Sequence, residues 1–201
     1  MPFFIDGGAA VMTGRGEDLQ VLPPLDGQWL VLVVPPHALA EKTTRLYSAL
    51  EPADFSSGGA TERAARRLTQ RLPLGEEHLC NVFSRAARHV FPGLAEVWTA
   101  AERACDRRFF LSGAGPALFA LAFDRAEARR QQTRLARLGV SAITARTVRH
   151  ARAALPFRPA LPSGTLNRDP RAAVPGRPMV GLHTLDVAIQ VRILAGQPRP
   201  G

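Results

Sequence analysis

A short glycine-containing segment, Ser112-Gly113-Ala114-Gly115-Pro116, carries residue types suited to binding a ligand. Gly113 and Gly115 can adopt backbone conformations closed to other residues and let the main chain approach a ligand closely. The Ser112 hydroxyl and the backbone N–H groups of this glycine loop (residues 112–116) are donors that can form a nest for an anion. The same spacing also suits an ordinary turn between two strands. The residues alone leave both interpretations open.

The elements that must position this loop are two short apolar runs, residues 109–111 before it and residues 117–123 after it. Short apolar runs separated by a Gly/Pro cluster predict two buried strands joined by a tight loop. Residues 29–34, WLVLVV, are apolar without interruption, which predicts a strand buried on both faces. Residues 2–22 alternate short apolar runs with glycine and predict a β-meander, and residues 141–148 predict a last strand.

Helical patterns fill the space between these strands. A first helix is predicted with Thr43 or Thr44 as its N-cap, and a last one starts at an Asp124 cap and ends at Gly139. Three more are predicted between them, over residues 61–71, 76–90 and 94–106. The order strand, helices, strand, strand, helix, strand predicts an α+β fold in which helices cover an antiparallel sheet.

Composition limits the possible functions. The chain has 201 residues, 46% of them hydrophobic, and a net charge of +9, but 25 of its 26 basic residues are Arg and only Lys42 is Lys. The Arg residues are spread without an aromatic-interleaved stripe, so a specific nucleic-acid site is not indicated. The chain has no run of about 18 apolar residues, so no membrane span is predicted. Cys80 and Cys105 are each predicted to be small buried side chains, and a reducing cytoplasm is the expected compartment. The five histidines show no metal-ligand spacing.

Residues 156–201 differ from the rest of the chain. They hold 8 of the 17 prolines and 6 Arg against 2 Asp. This composition predicts a disordered tail, with one short element at most, over residues 180–194. A basic arm that binds nucleic acid is the alternative interpretation of the tail.

Several segments together resemble the GHMP small-molecule kinases. LSGAGPALFAL resembles the glycine loop of their C-terminal domain. One branch of the family, which acts on a cytidine-diphosphate-linked methylerythritol, is similar to the opening MPFFIDGGAAVMTGRGEDLQVLPP. The segments that follow, WLVLVVPP and the T-x-x-x-Y segment at Thr43, resemble the same branch. Asn81 stands where an N-D-L-E type motif would begin. The resemblance implies a ferredoxin-like, four-stranded antiparallel sheet with helices on one face. It also implies that residues 1–27 are a remnant of the N-terminal kinase domain and residues 28–155 the C-terminal domain.

The activity implied by this resemblance is transfer of the γ-phosphoryl group of ATP, with Mg²⁺, to a hydroxyl of that substrate in non-mevalonate isoprenoid precursor synthesis. The loop residues Ser112, Gly113, Ala114 and Gly115 would face substrate and phosphates. Tyr47, with Thr43 and Arg15 nearby, would line a cytidine pocket. The structural alternatives are a core-edge aromatic for Tyr47, a helix cap for Thr43 and a solvated turn residue for Arg15.

Two parts of the family pattern are absent. The phosphate cradle P-x-G-x-G-L-G-x-S-S/G does not occur, and Lys42 does not stand where the family has its N-terminal catalytic Lys. The general-base Asp is expected just before Met1, so no catalytic residue is assigned and the chain is expected to be inactive alone. A separately encoded N-terminal half is a possible partner. The alternatives are a non-catalytic nucleotide- or partner-binding module and another GHMP kinase.

Overall fold

The computed structural model describes residues 9–13, 18–25, 27–36 and 39–147. These residues form two antiparallel sheets, five α-helices and two short 3₁₀ turns. The strands are β1 (Ala9–Thr13), β2 (Asp18–Leu22), β3 (Trp29–Val33), β4 (Phe110–Leu111), β5 (Leu118–Ala122) and β6 (Ala142–Arg146). The helices are α1 (Lys42–Ser48), α2 (Gly59–Thr69), α3 (Ser84–Val90), α4 (Leu94–Cys105) and α5 (Arg125–Arg137), with 3₁₀ turns at Pro52–Asp54 and Glu76–His78.

The larger sheet has four antiparallel strands in the order β4-β5-β3-β6. β3 lies in its interior and pairs with β5 on one side and β6 on the other. Leu30 and Leu32 pack on one face of β3, and Val31 and Val33 pack on the other. The prediction of a strand buried on both faces is therefore confirmed, and the four-stranded antiparallel sheet agrees with the fold that the resemblance implied.

One face of this sheet carries the main hydrophobic core. α5 packs on β3, β5 and β6; α4 packs on α5, α3 on α4 and α1 on α3. Leu46 of α1, Leu94 of α4 and Leu135 of α5 are fully buried in this core. The predicted α+β arrangement, with helices covering an antiparallel sheet, is confirmed.

The first two strands form a separate hairpin. Ala9 of β1 pairs with Leu22 of β2, and the hairpin packs against α2 through a small core that includes Ala64 and Leu68. This confirms the later part of the predicted β-meander. Its first run, residues 2–5, lies outside the described residues, as does the tail.

The start of α1 differs from the prediction. The helix begins at Lys42, and its N-cap is Glu41, whose φ is 53° and whose side chain makes no capping hydrogen bond. The Arg45 N–H donates to the Glu41 carbonyl at 3.1 Å, so the main chain enters the helix through a left-handed residue. Thr43 and Thr44 lie inside the first turn, and the prediction that one of them is the N-cap is wrong.

The continuous helix predicted over residues 76–90 is also wrong. It is broken into the Glu76–His78 turn, a loop and α3. The Asn81 side-chain oxygen accepts a hydrogen bond from the Phe83 N–H at 2.9 Å, which offers the backbone an alternative to helix at this point. The break therefore follows from side-chain chemistry that apolar periodicity does not detect.

The remaining boundaries are close to those predicted. α4 ends at Cys105, and Asp106 follows in a left-handed conformation with φ 50°. Asp124 caps α5 by accepting from the Glu127 N–H at 2.7 Å, and Gly139, with φ 72°, ends it, as predicted. Cys105 is buried, and burial raises the pKa of its thiol.

Cys80 is exposed in the loop before α3, so the prediction that it is buried is wrong. No helix among the residues that the structure describes combines the length and apolar character needed to cross a membrane.

Candidate functional site

The glycine loop connects β4 to β5 and closes on itself through two backbone hydrogen bonds. The Ser112 N–H donates to the Ala117 carbonyl at 2.8 Å, and the Gly115 N–H donates to the Ser112 carbonyl at 2.9 Å. Within the described part of the chain, the N–H groups of Gly113 and Ala114 have no acceptor. These two consecutive donors are therefore the part of the loop that can receive an anion.

The two glycines of the loop are required for different reasons. Both have positive φ, 55° at Gly113 and 64° at Gly115. A Cβ at Gly113 would meet nothing within 4 Å, whereas a Cβ at Gly115 would lie 2.9 Å from Leu111 Cδ1 and 3.4 Å from Phe91 Cε2. Gly113 is exposed where a ligand can approach, and Gly115 is buried against the core.

Asn81 holds the glycine loop from the side of α3. Its Nδ2 donates to the carbonyls of Leu111 at 3.0 Å and Gly113 at 2.8 Å, across 30 and 32 residues of sequence. The sequence marked Asn81 only as the start of a motif and indicated no contact. The structure makes it the residue that fixes the chain on both sides of Ser112.

Lys42 contacts the loop from the side of α1. Its Nζ donates to the Gly115 carbonyl at 3.0 Å, across 73 residues. Sequence reasoning set Lys42 aside because it does not stand where the family has its catalytic Lys. The signal that was available is compositional, since Lys42 is the one lysine in a chain with 25 Arg residues.

α1 carries two of the three residues predicted to line a base pocket. Thr43 and Tyr47 are both exposed and lie one helical turn apart, a spacing that puts them on the same face. Tyr47 is 59% exposed, and its ring meets the Phe83 ring edge-on, with centroids 5.0 Å apart and an interplanar angle of 86°. Arg15 lies outside the described residues. Sequence reasoning did not identify Phe83, which ties Tyr47 to the segment that carries Asn81.

An ion pair anchors the other end of α1. Arg85 of α3 binds both carboxylate oxygens of Asp54, at 2.8 and 2.6 Å, and its Nη2 also donates to the Ala49 carbonyl at 2.7 Å. The hydrogen bonds from Arg85, followed by the Glu51 N–H, lower the pKa of Asp54 from its ordinary 3.8 to about 2. Because Ala49 directly follows α1, this ion pair fixes the helix that carries Lys42 and Tyr47.

The donors around the loop suit a phosphate group better than a metal ion. Two backbone N–H groups and an ammonium are hydrogen-bond donors, and phosphate oxygens are acceptors. In the described ranges, no three His, Cys, Asp or Glu side chains come together as metal ligands. These donors therefore suit a phosphate group, and the described residues around the loop do not include a metal-ligand set.

Comparison with known families gives this geometry its context. A family model described as the C-terminal region of GHMP kinases matches residues 61–141, from within α2 to just beyond the end of α5. Residues 61–141 are thus similar to the C-terminal region of GHMP kinases. The glycine loop and Asn81 lie inside the matched range, and Lys42 and Tyr47 lie just before it. The kinship predicted from the motifs is confirmed.

Individual relatives agree. A 4-diphosphocytidyl-2-C-methyl-D-erythritol kinase of Dehalococcoides mccartyi strain 195 is 39% identical over 126 residues, which cover 62% of this chain and 44% of the relative. The kinase of the same name from strain BAV1 is 37% identical over 151 residues, covering 74% of this chain and 52% of the relative. The chain thus spans about half the length of the curated relatives it matches.

A solved structure shows the same fold. The crystal structure of a 4-(cytidine 5′-diphospho)-2C-methyl-D-erythritol kinase superposes with a TM-score of 0.56 and 31% sequence identity. The superposition covers 71% of this chain and 51% of that kinase. The fold described above is therefore that of a known kinase region.

Proposed function

We propose that this chain forms the C-terminal half of an ATP-dependent kinase that phosphorylates a hydroxyl of a cytidine-diphosphate-linked methylerythritol. The observation that carries the proposal is the glycine loop in a region similar to the GHMP kinase C-terminal domain: its Gly113 and Ala114 N–H groups have no acceptor among the described residues, and the Lys42 ammonium contacts the loop at Gly115. The names of the relatives supply the substrate class. A cytoplasmic location, where ATP is available, belongs to the same proposal.

The proposal divides the chain by role. Residues 1–27 are a remnant of the N-terminal kinase domain, residues 28–155 form the C-terminal domain, and residues 156–201 are the Pro- and Arg-rich tail. Phosphoryl transfer depends on positioning and on electrostatic stabilisation of charge. ATP supplies the transferred group when bound. Positioning is the contribution we assign to this half.

In this proposal the glycine loop and α1 receive different parts of the substrate. Ser112, Gly113, Ala114 and Gly115 form the loop that faces phosphates, through the two N–H groups that have no acceptor among the described residues. Tyr47 offers an exposed aromatic ring to the cytosine base, supported edge-on by Phe83. Thr43, one turn before Tyr47, and Arg15 line the same pocket.

Replacement of Tyr47 by Ala tests the proposal. Stacking on one aromatic ring contributes about 1–3 kcal/mol, so Tyr47→Ala should weaken CDP binding about 5- to 150-fold. Tyr47→Phe, which keeps the ring, should bind CDP nearly as well as the wild type. Calorimetric titrations with CDP and ATP measure both affinities.

The matched control is Phe55→Ala, since Phe55 is another exposed aromatic, at 40% exposure, and is assigned no role in the site. It should leave CDP binding unchanged. Equal weakening of CDP and ATP by Tyr47→Ala, or no weakening of CDP, would refute the stacking role of Tyr47.

A further inference from the structure

Lys42 is chemically singular in this chain. It provides the one lysine side chain among 26 basic residues, and its Nζ donates to the Gly115 carbonyl at 3.0 Å. An ammonium group carries three N–H donors, and the Gly115 carbonyl occupies one of them. The group therefore has donors left for a second acceptor beside the glycine loop.

The charge of Lys42 has no carboxylate partner in the part of the chain that the structure describes. Among the described residues, no carboxylate lies within ion-pair distance of its Nζ, although Glu41 is its neighbour in the chain. Arg85 and Arg107, by contrast, each contact carboxylates at 2.6 Å. A positive charge held at a defined place without a partner is a feature of anion-binding sites.

The Lys42 ammonium contacts the same short loop that carries the two backbone donors. Its acceptor is the carbonyl of Gly115, and Gly115 directly follows Ala114 in the chain. The Gly113 and Ala114 N–H groups have no acceptor among the described residues. The fold therefore brings one positive charge and two backbone donors to the same five-residue loop.

We propose that Lys42 is a binding residue that receives a phosphate oxygen of the ligand at the glycine loop, while the Gly113 and Ala114 N–H groups receive others. The ligand class is a phosphate ester or anhydride, in which respect the inference rests on the proposed function. The assignment of Lys42 is the new element. Its bond to the Gly115 carbonyl also means that the charge and the loop are positioned together.

Lysine suits this double contact. Its ammonium is a compact charge with donors in several directions, so it can contact a carbonyl and a phosphate at once. Arginine has a planar fork that fits two oxygens of one group. Lys42→Arg should keep the charge but lose part of the geometry, and Lys42→Gln should lose the charge.

The full 201-residue chain can be tested by NMR with inorganic pyrophosphate as the probe. Biosynthetic labelling with ¹³C-lysine gives one lysine Cε signal, since the chain has one lysine, and leaves all three N–H donors of its ammonium group in place. We expect the Lys42 Cε signal and the Gly113 and Ala114 amide signals to shift with the same midpoint.

Two variants separate a local contact from net charge. Lys42→Gln should raise the pyrophosphate midpoint about tenfold, and Lys42→Arg should raise it about threefold or less. Arg45→Gln is the matched control because Arg45 is exposed on the same helix, carries the same charge and makes no ion pair among the described residues. It should leave the midpoint unchanged.

The inference is overturned if Lys42→Gln and Arg45→Gln weaken binding equally, since only net charge would then matter. It is also overturned if pyrophosphate shifts the Gly113 and Ala114 amide signals of Lys42→Gln with the same midpoint as in the wild type. The loop would then bind phosphate without Lys42, and its proposed function would stand. If pyrophosphate shifts none of these signals while CDP binding still depends on Tyr47, the inference fails and the base pocket of the proposed function stands.

Discussion

Replacing each glycine of the loop by Ala, in separate variants, distinguishes a turn that the core requires from a surface that a ligand requires. Gly113 and Gly115 have similar positive φ values, 55° and 64°, so an added methyl group strains both backbones alike. Only Gly115 has core atoms where the methyl would be placed, with Leu111 Cδ1 at 2.9 Å and Phe91 Cε2 at 3.4 Å. The pair therefore isolates the packing contribution.

The magnitudes follow from these contacts. A left-handed conformation costs a residue with a Cβ about 1–2 kcal/mol, which is the whole effect expected for Gly113→Ala. Overpacking a filled core costs about 1–3 kcal/mol more, so Gly115→Ala should lose about 2–5 kcal/mol. Since domains are stable by about 5–15 kcal/mol, the second variant should unfold at a clearly lower urea concentration.

Urea denaturation of both variants, followed by tryptophan fluorescence, measures the difference in the free energy of unfolding. Pyrophosphate titration of each folded variant measures the affinity of the loop for the ligand. Gly113→Ala places a methyl group at the exposed tip, so it should weaken pyrophosphate binding more than Gly115→Ala. Equal destabilisation by the two substitutions would refute the claim that Gly115 is held against the core. Equal loss of binding would refute the assignment of the ligand-facing role to Gly113.

Two further predictions concern the supports of the site. Asn81→Ala removes hydrogen bonds to the Leu111 and Gly113 carbonyls and should lower the free energy of unfolding by about 1–3 kcal/mol; a loss below about 0.5 kcal/mol in urea denaturation would contradict that role. Asp54 has a folded-state pKa of about 2 against an ordinary 3.8, so its ion pair with Arg85 stabilises the fold above about pH 4 and loses this effect as the pH falls toward 2. The stability difference between wild type and Asp54→Asn should accordingly shrink between pH 4 and pH 2, and a difference that is constant over this range would count against the ion pair.

Local patterns in the sequence were sufficient for most of the elements. The unbroken apolar run of β3 indicated burial on both faces, which Leu30 and Val31 show on opposite sides. Asp124 and Gly139 marked the two ends of α5 because capping depends on residues within one turn of the helix terminus. The apolar runs around the glycine loop predicted its two strands for the same local reason.

The arrangement of the candidate site was decided by tertiary structure. Asn81 reaches the loop across 30 residues and Lys42 across 73, and no local pattern in the sequence indicates either contact. The same holds for the two glycines of the loop, which look alike in the sequence but differ in what surrounds them. Periodicity reports which side of an element is buried, whereas these contacts depend on how distant segments pack, so only the folded chain determines them.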